Sequence, residues 1–128
     1  MKKINLFINI YSILIILFTG FMVTMSFVSS ESFFNMYGIT GDIAMKTAWS
    51  FKYLSLLLIM IVGFIIHKPE TVLLTILTRF FIDITDIFGI ALFDTPHYSF
   101  FTIVQFLVLM IPQIICLYLL IKLINSEK

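Results

Sequence analysis

Charge is what this sequence has least of. Only 12% of its 128 residues are Asp, Glu, Lys or Arg, about half the share found in an ordinary soluble domain. The net charge is +1, so the chain lacks the basic footprint that a nucleic-acid partner requires. Cysteine is confined to Cys116, which excludes an intrachain disulfide and a CxxC redox pair. No internal repeat and no low-complexity tract is present. HExxH, GxSxG, P-loop and dinucleotide fingerprints are all missing, which argues against a hydrolase or a nucleotide-driven pump. His67 and His97 fall on opposite sides of the topology derived below, so they cannot share a metal or a triad. His97 with Asp94, Glu31 and Asp42 forms at most an acidic outer cluster, and ordinary loop polarity explains it more simply. The sequence points to no metal site and names no cofactor.

What is there is apolar surface. The chain is 61% hydrophobic with a mean hydropathy of +1.13. A soluble fold this small has too much surface for its volume to hide that in one core, whereas lipid removes the difficulty. A helix needs about 20 apolar residues to cross the hydrocarbon. Four runs qualify, at 4–28, 47–66, 71–93 and 99–124. The expected fold is therefore all-α: a single membrane-embedded four-helix bundle. The connection 67–70 is so short that the second and third helices must form an antiparallel hairpin. Pro69 and Glu70 suit the first turn of the third helix, where proline loses no needed N–H and a carboxylate meets the positive end of the helix dipole.

Lysine sets the orientation. Four spans put the N-terminus, the hairpin and the C-terminus on one side, with Lys2, Lys3, Lys68, Lys122 and Lys128. The opposite side has Lys46, with Lys52 just inside the second helix. Both termini are expected in the cytoplasm, with the protein in a bacterial inner membrane. Trp49, Tyr53 and Tyr98 fall near the outer ends, where an aromatic belt is expected. Met1-Lys2-Lys3 and Val28-Ser29-Ser30 mimic a signal peptide. The first run is longer than a normal h-region, however, and carries a stripe of Asn5, Asn9, Ser12, Thr19 and Gly20, so an uncleaved first span is expected. The outer loop 29–46, with Phe33, Phe34, Met36, Tyr37 and Ile39, either lies flat in the interface or caps the bundle irregularly.

The third run is the informative one. Arg79, Asp83 and Asp86 are spaced i, i+4, i+7, which at about 100° per residue places them on one narrow stripe. Three charges at mid-depth cost about 8–10 kcal/mol on the insertion scale, and the large apolar residues of the run return about 4–8. This helix must therefore insert with its neighbour and turn the stripe away from lipid. Counting along the arms sets Lys52 beside Asp83 and Asp86, Gln105 near Asp86, and Gln113 near Arg79. It sets Ser12 level with Arg79 and Asn9 one turn further in. Arg79 before Asp83 is the less favourable order for an intrahelical pair, which points Arg79 across to another helix. Two cations and two carboxylates then form one neutral interior cluster. Elsewhere, Pro112 should kink the last helix, Cys116 reads as a buried apolar filler, and Gly20, Gly63 and Gly89 permit close helix contact.

The length, the long first outer loop with Tyr37-Gly38-Ile39, the tight inner hairpin and Arg79 within the third helix together resemble the DoxX-like group of small four-helix bacterial membrane proteins. The resemblance is one of plan and covers most of the chain. It implies a quinone-linked or accessory role beside a respiratory or redox membrane complex, for which a lone cysteine gives no independent support. Three functions compete, beside a purely structural ion-pair network. The first is a binding or accessory subunit that holds a small amphipathic ligand, or docks on a larger complex, through Arg79, Asp83 and Asp86. The second is a small proton-coupled transporter in which Asp83 or Asp86 carries the proton, with a homo-oligomer enclosing the path. The third is a membrane-embedded isomerase or oxidoreductase acting on a lipid.

Overall fold

Sequence periodicity decides which residues this fold puts inside. In the computed structural model, which describes residues 4–37, 43–93 and 100–126, the elements are α1 (Leu6–Val28), α2 (Ser30–Tyr37), α3 (Ile43–Ile66), α4 (Pro69–Phe93) and α5 (Phe100–Ser126). The described residues contain no strand. The central buried series on α3 is Trp49, Tyr53, Leu56 and Met60, flanked by Ser50, and on α4 it is Val72, Ile76, Arg79, Asp83 and Asp86, flanked by Thr75. Both series alternate steps of three and four, the spacing that keeps one seam facing a neighbour along antiparallel helices. On α1 the inner stripe runs Ile8, Tyr11, Ile15, Thr19, Met22 and Ser26. α4 lies against both α3 and α5, α1 packs mainly on α3, and α1 meets α5 more lightly.

The surface is the reverse of a soluble protein's. Leu6, Ile13, Leu17, Val28, Ile65 and Leu74 are among the many large apolar side chains left exposed. Arg79 is the largest fully buried side chain among the described residues. Three helical stretches, Leu6–Val28, Lys46–Ile66 and Ile103–Ser126, are long and apolar enough to cross a membrane. α4 is as long as its neighbours, with 25 residues, but it carries Arg79, Asp83 and Asp86 in its middle turns. Those three charges account for its absence from the apolar set.

Local signals explain the element ends. The Asn5 side chain caps α1 by accepting the Phe7 N–H at 2.8 Å, the usual work of a short polar residue ahead of a helix. His67 closes α3 with a left-handed φ of 59°, a conformation reached at single residues after helices. Lys68, restricted to extended backbone by the following proline, then redirects the chain. Its carbonyl accepts the Val72 N–H at 2.9 Å, and Pro69 and Glu70 occupy the first turn of α4, as the sequence implies. We call this the hairpin end, and the opposite end, reached through residues 29–42 and 94–99, the loop end. Gly63 sits where a Cβ would run into the Thr75 side chain, so the two arms of the hairpin approach closely there. α5 continues through Pro112, and Cys116 is buried.

Two expectations about the loop end are corrected. The 29–46 segment is not irregular over its first part, which caps the bundle as a helix. α2 is a two-turn helix whose Phe33 and Phe34 are buried, packed edge-on and tilted against Trp49 at 5.3 and 5.6 Å between ring centroids. Trp49 and Tyr53 do not form an outward belt either. Both are buried and lie against each other at 4.5 Å. Aromatic pairs gain from offset and edge-on contact beyond the area they bury, and α2 supplies the cover. Tyr98, His97, Asp94 and Asp42 lie outside the described residues.

Candidate functional site

The interior of the helices is polar at the depth where α4 carries its charges. Arg79 is 1% exposed and Asp83 is fully buried. The Arg79 Nε donates to Asp83 Oδ2 at 3.1 Å, one turn along the same helix. The Arg79 Nη1 reaches across to α1 and donates to Thr19 Oγ1 at 3.0 Å. From α5, the Gln113 Nε2 donates to the same Asp83 Oδ2 at 2.9 Å. Nearer the loop end, the Lys52 Nζ pairs with Asp86 Oδ1 at 2.7 Å, and the buried Tyr53 hydroxyl donates to Asp86 Oδ2. Tyr53 links the two ion pairs. Its ring centroid lies 5.4 Å from the Arg79 guanidinium carbon and 5.0 Å from the Lys52 Nζ, within the range of cation–π attraction.

The network is charge-neutral, with each carboxylate matched to one cation. The two pairs differ in setting. Asp83 has no exposed surface, whereas the Lys52 side chain is 39% exposed, so that pair reaches the surface of the molecule. Four buried polar atoms around the inner pair make no hydrogen bond among the described residues: Arg79 Nη2, Asp83 Oδ1, Gln113 Oε1 and the Tyr11 hydroxyl. A buried polar group without a partner costs about 1–3 kcal/mol. A natural interior seldom concentrates several such atoms without a reason.

The sequence-derived residues divide clearly. Arg79, Asp83, Asp86, Lys52 and Gln113 come together. Gln113 bonds Asp83 rather than Arg79, one turn from its expected level. Arg79 does make the intrahelical bond that its order disfavours, as well as the interhelical one, because burial strengthens the attraction between a charge and its nearest counter-charge. That bond also corrects the α1 register. The guanidinium leans a turn toward the loop end to meet Asp83, so it meets Thr19 and not Ser12. Ser12 is buried, but its hydroxyl donates to its own helix at Ile8 O, 2.7 Å away. Asn9 is half-buried and its side chain bonds none of the described residues. Gln105 is also half-buried; its buried Oε1 has no partner among them, and its amide does not donate to Asp86, whose two oxygens accept from Lys52 and Tyr53.

Thr19, Tyr53 and Tyr11 are the residues that sequence reasoning missed as members of the site. Thr19 stood on the polar stripe of its helix. Tyr53 follows Lys52 and falls on the three–four rhythm of α3. Tyr11 carried no local signal, since an isolated tyrosine in an apolar run reads as packing.

A second concave feature lies at the loop end, a cavity of about 320 Å³ lined by Ser26, Glu31, Phe34, Lys46 and Ser50 among others. The Lys46 Nζ stands 5.7 Å over the Phe34 ring there. Ser50 is one turn from Tyr53, so the cavity approaches the outer ion pair. No protein-family model, curated protein or solved structure matches this chain.

Proposed function

We propose that this is an integral membrane protein that crosses the bilayer four times as a helical bundle, with both termini in the cytoplasm. Its interior polar network serves as the binding site for a small amphipathic ligand. The observation that carries this reading is the inverted burial, with Arg79 and Asp83 sealed inside and the exterior of the long helices apolar. Charges in a bilayer interior are tolerated when they face other helices, and the fourth long helix, α4, has its charges on that face. Lipid is the solvent for the outer surface, and the remaining lysine asymmetry orients the whole.

A purely structural network would fix helix register and no more, and buried ion pairs add little stability over apolar replacements. Unpaired polar atoms beside the pair have no use in such a role, whereas a ligand head group would satisfy them. The DoxX-like plan adds the prospect that the ligand is passed to, or shared with, a larger membrane complex.

The test is lipid extraction. Protein purified from membranes in mild detergent should retain one amphiphile in near-stoichiometric amount, identified by mass spectrometry of the solvent extract. The double variant Arg79→Met with Asp83→Leu should lose it. Identical extracts from both proteins would rule the reading out.

A further inference from the structure

The four unpartnered atoms define the chemistry of what they bind. Arg79 Nη2 offers N–H donors, Asp83 Oδ1 and Gln113 Oε1 are acceptors, and the Tyr11 hydroxyl can act either way. All four residues are more than nine-tenths buried and come from three helices. The Tyr11 hydroxyl faces the Gln113 side chain, without reaching hydrogen-bond geometry, and feels the charges of Arg79 and Asp83 nearby. We propose that this quartet is a recognition site for a neutral hydroxyl group, which accepts from Arg79 Nη2 and donates to Asp83 Oδ1 or Gln113 Oε1. The proposal rests on the ligand-binding reading above and adds the head-group class to it.

Charge makes the selection. The guanidinium is already matched by Asp83, and Lys52 by Asp86, so no cation is left over for an anionic head group. A phosphate or carboxylate placed here would meet Asp83 Oδ1 and Gln113 Oε1, two acceptors that repel it. An ammonium group would meet Arg79. A hydroxyl meets neither objection, because one oxygen can accept and donate at once. Adjacent hydroxyls, as on a glycerol, would use both acceptors and the Tyr11 oxygen together. The same chemistry has two sources, the hydroxyl of an amphiphile or an ordered water. Buried waters typically make about three bonds to groups of this kind.

The chain supplies its own reporter. Trp49 is the only tryptophan and packs on Tyr53, which touches Arg79. Protein in phosphatidylcholine nanodiscs would be titrated with monodecanoylglycerol, decyl phosphate and decyltrimethylammonium while Trp49 fluorescence is followed. The expected result is saturable binding of the glycerol amphiphile, about tenfold tighter than either charged probe. Tyr11→Phe, which removes a single oxygen, and Gln113→Leu should each weaken it by up to about tenfold, the upper end of what one hydrogen bond between neutral groups contributes. Cooperative thermal unfolding of both variants would establish that they remain folded.

If no probe saturates but a high-resolution map shows an isolated peak within about 3.2 Å of Arg79 Nη2 and Asp83 Oδ1, the hydroxyl is water. The head-group chemistry then stands and the amphiphile reading falls. Tighter binding of decyl phosphate overturns the charge argument while leaving a ligand site in place. Neither saturation nor a peak overturns both.

Discussion

Arg79 is the residue on which the interior turns. It makes two hydrogen bonds through Nε and Nη1 and presents a third edge, Nη2, to no partner among the described residues. Removing it alone leaves the Asp83 carboxylate buried without a cation. Breaking a buried pair in this way costs about 3–5 kcal/mol, whereas exchanging both members for apolar groups is often neutral or stabilising. Arg79→Met should therefore lower the unfolding free energy by about that amount. Arg79→Met with Asp83→Leu should recover most of it in detergent thermal or denaturant unfolding. Recovery of stability without recovery of ligand would mean that the pair is kept for binding. A double variant as unstable as the single one would assign it to structure instead.

At the scale of the element, the hairpin of α3 and α4 carries the site. Tight apposition near its closed end sets the register that brings Lys52 and Tyr53 level with Asp86. Gly63 permits that apposition, since a methyl group there would collide with Thr75, whose hydroxyl is tied back to Thr71 O at 2.8 Å. Small residues at a helix contact let backbones approach in just this way. Gly63→Ala should destabilise the protein by about 1–3 kcal/mol, the usual range for overpacking. Adding Thr75→Ala should return part of it. Equal stability of Gly63→Ala and the parent protein would show that the arms are not held in this register. α4 also illustrates why the hairpin is needed. Its three charges cost at least as much as its apolar residues return on the insertion scale, so its stripe requires the cover of α1, α3 and α5.

At the scale of the molecule, the ends of the helices sort the charges. Lys68 marks the hairpin end, and Lys46 with Glu31 marks the loop end. The proposed topology places the first in the cytoplasm and the second outside. Cys116 is the sole native thiol, so a Cys116→Ser background allows single cysteines to be probed. An impermeant maleimide applied to intact cells should label Glu31→Cys and leave Lys68→Cys untouched until the membrane is opened. The reverse pattern would invert the protein. Labelling of both on intact cells would overturn the four-span arrangement.

Sequence alone fixed the helices and the residues that had to be hidden. The apolar runs ended within a few residues of α1, α3, α4 and α5, because length and hydropathy are local properties and the Pro69 and Asn5 signals act within one turn. The inward stripe of Arg79, Asp83 and Asp86 was equally legible, since their spacing on one helix is independent of any partner. The level of Lys52 beside Asp83 and Asp86 also followed, because the two-residue turn at His67 and Lys68 ties both arms to one origin, and the structure chose Asp86 of the two. What only the tertiary structure decided was the partnering across unconnected helices. Thr19 replaced Ser12 opposite Arg79, Tyr53 turned inward between two cations, and Tyr11 joined the site. Those outcomes depend on where a long guanidinium leans and on how α2 covers Trp49, and side-chain reach of that kind is written in no single segment of the chain.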